Sequence, residues 1–136
     1  MSAQVTTTSP TGKVVIADRS PHFRETLRRV LLQNTDAEVI GEAGSFREAV
    51  RLVRENGARV VLLAVDLAMN QPATRLRRIA ESLPELRVIV LLDEDTPGYR
   101  QAIRERWGYT CVAKENAESE LLPALSAPPR QWLSRA

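Results

Sequence analysis

The run Val60-Val61-Leu62-Leu63-Ala64-Val65 is apolar at every position, on both parities of an extended chain. A strand wetted on one face alternates apolar with polar residues, so an unbroken run suits a central parallel strand covered on both faces. The remaining strand candidates fit around it. Val14, Val15 and Ile16 form a β-branched segment within 13–17, and Glu38 to Glu42, Arg87 to Leu92 and Tyr109 to Ala113 are further short β-rich stretches.

Between these stretches the apolar period becomes helical. Ser20 and Pro21 supply the cap and first position of a helix whose Phe23, Leu27, Val30 and Leu31 fall on one face. Ser45 and Glu48 form an S-x-x-E capping box ahead of Phe46, Ala49, Val50 and Val53. After Pro72, Leu76, Ile79, Ala80 and Leu83 repeat at helical spacing until Pro84. Thr96 and Pro97 open a helix carrying Tyr99, Ala102 and Ile103, which Gly108 can end. A last helix is expected within Ala117 to Ser126, where Pro123 imposes a late start or a kink, and Pro128 and Pro129 end it.

Strands and helices alternating on short loops predict an α/β three-layer sandwich around a five-stranded parallel sheet. Right-handed crossovers favour the flavodoxin-like order 2-1-3-4-5. Such sheets bind ligands beyond the carboxyl ends of their strands, where the strand order switches, which directs attention to Asp18, Arg19 and the segment after Leu63. The chain of 136 residues suits one domain, read as a flexible leader 1–12, the α/β body 13–126 and a tail 127–136. No apolar stretch approaches the ~18 residues of a membrane span, and Met1 to Pro10 lacks the charged and apolar regions of a signal peptide. A lone cysteine, Cys111, and a lone histidine, His22, build neither a disulfide nor a zinc site, so a cytoplasmic protein without metal or cofactor is expected. The +2 net charge comes from 19 basic and 17 acidic residues interleaved along helices, which reads as solvated helix surface rather than a nucleic-acid face.

The segments VVIADRSPHFRETLRRVL, VIGEAGSFREAVRLV, RVVLLAVDLA and LRRIAESLPELRVIVLL, with Lys114 after the fifth strand, resemble the receiver (CheY-like) domain of bacterial two-component response regulators. The likeness is greatest to receivers joined to LuxR/NarL-type DNA-binding domains. It implies an aspartate phosphorylated at the end of strand three, Mg²⁺ held partly by an acidic pair after strand one, a hydroxyl after strand four and a lysine after strand five. In that register Asp18 keeps the first acidic position and Lys114 the lysine, but the second acidic position is Arg19, the phosphoacceptor is Ala64 and the hydroxyl is Leu92. The aromatic residue often found in strand five is Cys111.

Alanine offers no nucleophilic oxygen, Arg19 repels a cation, and Leu92 cannot bond a phosphoryl group. The resemblance therefore implies a degenerate pocket of Asp18, Arg19, Ala64, Leu92 and Lys114, in which Asp18 is expected to pair with Lys114 or Arg19. Asp66, two residues beyond Ala64 and on the same side if the strand stays extended, is a candidate displaced phosphoacceptor. The expected function is a phosphorylation-independent regulatory module, not an enzyme, that binds a protein partner or a second copy of itself. One alternative is a sensor holding a small anion through Arg19 and Lys114; another is a receiver phosphorylated on Asp66. The family's dimer face of fourth helix, fifth strand and fifth helix is altered by Pro123, and DNA contact would need a domain beyond this sequence. His22 reads as a surface residue, Cys111 as a small core residue, and Trp107 and Trp132 as candidate partner contacts.

Overall fold

The computed structural model describes residues 11–94, 97–107 and 109–126, with the side chains of 73, 106 and 107 excepted. The expectations for Thr96, Gly108, Trp132, the Trp107 side chain, the segment 1–10 and the tail lie outside the described residues. In chain order the elements are β1 (Lys13–Ala17), α1 (Pro21–Asn34), β2 (Glu38–Ala43), α2 (Phe46–Asn56), β3 (Val60–Ala64), α3 (Val65–Met69), α4 (Ala73–Ser82), β4 (Arg87–Leu92), α5 (Pro97–Trp107), β5 (Thr110–Ala113) and α6 (Ala117–Ser126). The strands pair in parallel in the order β2-β1-β3-β4-β5. This is the flavodoxin-like order expected from the crossover rule.

β3 sits at the centre, and all five of its residues are buried. Alternate residues of the sheet feed two cores. On one face Val14, Ile16, Leu62 and Ile89 meet Leu27 and Leu31 of α1 and Leu121 of α6. On the other, Val15, Val61, Leu63 and Val90 meet Phe46 and Val53 of α2, Leu76 of α4 and Ile103 of α5. An unbroken apolar strand is required here because each parity faces a different layer of helices.

The serine caps form as their spacing implies: Ser20 Oγ accepts from the Phe23 amide at 3.1 Å, and Ser45 Oγ accepts from the Glu48 amide at 3.2 Å. The reciprocal half of the second box is not made, because the Glu48 carboxylate turns to Arg51 instead. Gly57 closes α2 in the left-handed region at φ 65°, which a residue without a Cβ adopts at no steric cost.

One expectation needs correction. β3 ends at Ala64, and Val65, expected as its last residue, opens the short helix α3, so the chain has a helix that the periodic reading omitted. α3 has no side-chain cap; Val65, Leu67 and Ala68 are buried, so packing rather than local signal supports it. The last helix spans Ala117–Ser126, as expected, after a 3₁₀ turn at Lys114–Asn116, and of the two effects expected of Pro123 the late start is not seen: the proline lies inside the helix.

Candidate functional site

The carboxyl ends of β1, β3, β4 and β5 converge, and the chain immediately after each carries the polar groups of the site. Asp18 follows β1. Its amide donates to Ala43 O at 2.9 Å, in line with the end of β2, and its Oδ1 accepts from the Ser20 amide at 2.8 Å. Asp18 is 3% exposed, the lone polar or charged residue counted as buried among the described residues. A carboxylate so placed is costly without a partner. Lys114, delivered by the end of β5, supplies it: Nζ lies 2.6 Å from Asp18 Oδ2, an oxygen that among the described residues meets only this ammonium.

The same ammonium lies 2.9 Å from Asp93 Oδ1, just after β4, and 5.0 Å from the centre of the Phe23 ring on α1. Burial disfavours the ammonium and is the largest single influence on it. Contacts with Asp18 and Asp93 and their negative charges together outweigh burial, so Lys114 titrates above its ordinary value of 10.5. Asp93 lies one residue beyond Leu92, the position that the family register assigns to the pocket, and so falls outside the sequence-based site. The signal was an acidic residue directly after the apolar end of β4.

Arg19 takes a different partner. Its Nε is 3.6 Å from Asp66 Oδ2, with side chains 61% and 44% exposed, a separation and exposure at which an ion pair contributes little. The expected alternative pairing of Asp18 with Arg19 is not made; Asp18 pairs with Lys114. Asp66 does not project alongside Ala64 from an extended strand, because the chain has turned into α3 by that point. Ala64, fully buried, ends β3 opposite Leu91, and Leu92, also fully buried, ends β4 opposite Ala113.

Arg24 was also missed. From α1 it donates to Asp18 O and, at 3.1 Å, to Glu42 Oε1 at the end of β2, so it ties the loop after β1 to the neighbouring strand. Its sequence signal is weak, since several arginines punctuate α1. His22 is exposed at the start of α1, as expected. Cys111 is half-buried against the core on the α5 side of the sheet, and its carbonyl accepts from Arg100 at 3.3 Å.

The model for the response regulator receiver domain matches residues 14–126. The chain belongs to that family. It is 30% identical over 120 residues to the uncharacterized transcriptional regulatory protein YxjL of Bacillus subtilis, covering 87% of this chain and 54% of that one. It is 26% identical over 115 residues to the transcriptional regulatory protein DegU of Brevibacillus brevis, covering 85% and 45%. This receiver chain thus spans about half the length of these relatives. In fold it is similar to the isolated receiver of RcsB from Salmonella enterica, with TM-score 0.72, 24% identity and coverage of 85% and 86%. The receiver of the response regulator NarL from Mycobacterium tuberculosis gives TM-score 0.71 at 20% identity, covering 88% and 100%. At these identities the two structures speak to the fold alone.

Receivers are thus regulatory domains of signal-transduction proteins, and the chemistry of the family raises the question of Mg²⁺. The residues present do not suit it. Asp18 is already matched by a lysine, Ala64 contributes no side-chain oxygen, and Arg19 carries a fixed positive charge at the position where the family resemblance implies a second carboxylate. Among the described residues no group of three or more His, Cys, Asp or Glu side chains is placed to hold a metal ion. Among them, too, no helix is long and apolar enough to cross a membrane.

Proposed function

We propose that this receiver regulates through protein contacts without forming an aspartyl phosphate, as a pseudo-receiver. The carrying observation is at the end of β3, where the fully buried Ala64 stands with no carboxylate, while the nearby Lys114 is held by Asp18 and Asp93. Acyl phosphate formation needs a carboxylate oxygen as nucleophile and a cation to neutralise the incoming phosphoryl group. Ala64 offers neither, and the Asp18 carboxylate is occupied by the ammonium. The pocket is degenerate in the sense that Asp18, Arg19, Ala64, Leu92 and Lys114 retain its position but not its reaction.

The anion-sensor alternative is less well supported by the geometry. Both cations it would use already have carboxylates beside them, Asp66 at 3.6 Å from Arg19 and Asp18 and Asp93 at 2.6 and 2.9 Å from Lys114. Three acids against two bases leave this cluster without a net positive charge. A displaced phosphoacceptor at Asp66 is the competing reading, since that carboxylate is partly exposed. In the pseudo-receiver reading Asp66 serves as the counter-ion of Arg19. The transcriptional relatives suggest a cytoplasmic regulator in which a second domain contacts DNA and the receiver binds a protein or another copy of itself.

Incubation with a small phosphodonor and Mg²⁺, followed by intact-mass measurement, tests the reading. The expected result is no mass increase. A one-phosphate increase that disappears in Asp66→Asn overturns it in favour of the displaced acceptor.

A further inference from the structure

α2 and α4 cover the same face of the sheet, and residues of both line a cavity of about 30 Å³ that is partly open to solvent. Its lining is almost wholly apolar and includes Phe46, Val50 and Val53 of α2 with Leu76 and Ile79 of α4. That space takes the tip of one apolar side chain, and it offers few polar atoms to hold a water instead.

The rim is basic. Arg47 and Arg54 stand three residues before and four after Val50, so they share its flank of α2; Arg75 stands four before Ile79 and Arg78 three after Arg75. All four are exposed. The Arg75 guanidinium lies 5.6 Å from the centre of the ring of Phe46, a residue that lines the cavity. The two acids of α2, Glu48 and Glu55, are both taken by Arg51, at 3.5 and 3.0 Å. Among the described residues no carboxylate pairs with Arg47, Arg54, Arg75 or Arg78. The arginines of α1 differ, each meeting a carboxylate: Arg24 and Arg28 meet Glu42, and Arg29 meets Glu25.

We propose that the groove between α2 and α4 docks an acidic protein segment, which seats one apolar side chain in the cavity while its carboxylates meet the four arginines. Arginine forks bind carboxylates in bidentate geometry, so uncompensated guanidinium groups on two parallel rows favour an anionic partner. The apolar cavity argues for a protein segment, because a nucleic-acid backbone meets the arginines but has no side chain to insert. The proposal assigns a face and a partner class to the interaction-module reading and rests on it. It does not involve the strand-end pocket, so the phosphodonor experiment and the one below fail separately.

The test is fluorescence anisotropy of the chain with three labelled probes: a short Asp/Glu-rich peptide with one central Leu, the same peptide with Ser there, and a single-stranded DNA of similar length. The Leu peptide is expected to bind at least roughly tenfold more tightly than the Ser peptide, the size of effect that burying a Leu side chain gives. Arg54→Glu with Arg75→Glu is expected to weaken it by more than about tenfold, while Arg29→Glu on α1 leaves it unchanged. Val50→Trp, which fills the cavity and spares the arginines, brings the Leu peptide down to the Ser peptide. Thermal melts confirm that each variant is folded, and Arg78→Gln substitutes for a double variant that is not. Equal binding of the two peptides, unchanged affinity in the arginine variants, tighter binding of DNA, or no peptide binding at millimolar concentration overturns the proposal.

Discussion

At Lys114 three groups meet: the buried Asp18 carboxylate, the exposed Asp93 carboxylate and the Phe23 ring. Exposure decides what each is worth. Replacing Lys114 with Met leaves Asp18 buried and charged with no counter-ion, and this is expected to cost about 3 kcal/mol in urea unfolding. Asp93→Asn, on a side chain 59% exposed, is expected to cost less than about 1 kcal/mol. The pH dependence follows from the direction of the lysine's shift. Because folding raises its pKa above 10.5, the stability that Lys114 contributes is fully present below that value and is lost as pH rises through the higher folded value. The stability difference between the native chain and Lys114→Met should therefore be constant from neutral pH to about pH 9 and shrink in more alkaline solution. A difference that grows there contradicts the assignment.

Among the elements, α3 and α6 show how packing overrides local preference. α3 has no cap and only five residues, yet it buries Val65, Leu67 and Ala68, and it carries Asp66 away from the line of β3 toward Arg19. α6 tolerates Pro123 although proline has no N–H to give the carbonyl one turn earlier. Its Ala117, Leu121 and Ala124 are buried on the α1 side, and that apolar stripe holds the helix together across the defect. Pro123 itself is exposed, so Pro123→Ala removes the defect without opening a cavity. The variant is expected to gain stability, by up to about 3 kcal/mol in urea unfolding, with an unchanged fold by circular dichroism. A loss of stability would mean that the ring makes contacts worth more than the missing hydrogen bond.

For the whole molecule, the pseudo-receiver reading proposed above makes phosphoryl chemistry depend on groups delivered by several strands at once, and on that reading one substitution does not supply it. Ala64→Asp puts a carboxylate at the buried end of β3, near Asp18 and Lys114, but leaves Arg19 and the buried Leu92 in place. It is expected to remain inert to a small phosphodonor with Mg²⁺. The triple variant Ala64→Asp, Arg19→Asp and Leu92→Thr restores nucleophile, metal ligand and hydroxyl together, and it is the one expected to gain a phosphate mass. If Ala64→Asp alone is phosphorylated as readily, the missing nucleophile was the whole defect and the charge argument fails.

The sequence by itself determined the sheet and its strand order. An apolar run with no alternation leaves a strand only one place to go, the serine caps and helical periods set the intervening helices, and crossover handedness orders the strands. It also displayed Ala64, Arg19 and Leu92, because register against the family needs no coordinates. What only the tertiary structure decided were the pairings. Asp18 had two candidate cations, and the convergence of β1 and β5 gave it Lys114; Asp93 joined the site because β4 lies between β3 and β5. Arg19 and Asp66 found each other only because the chain turned into α3. Side-chain pairing depends on distances between segments far apart in sequence, and periodicity carries no information about those distances until the sheet has brought the strand ends together.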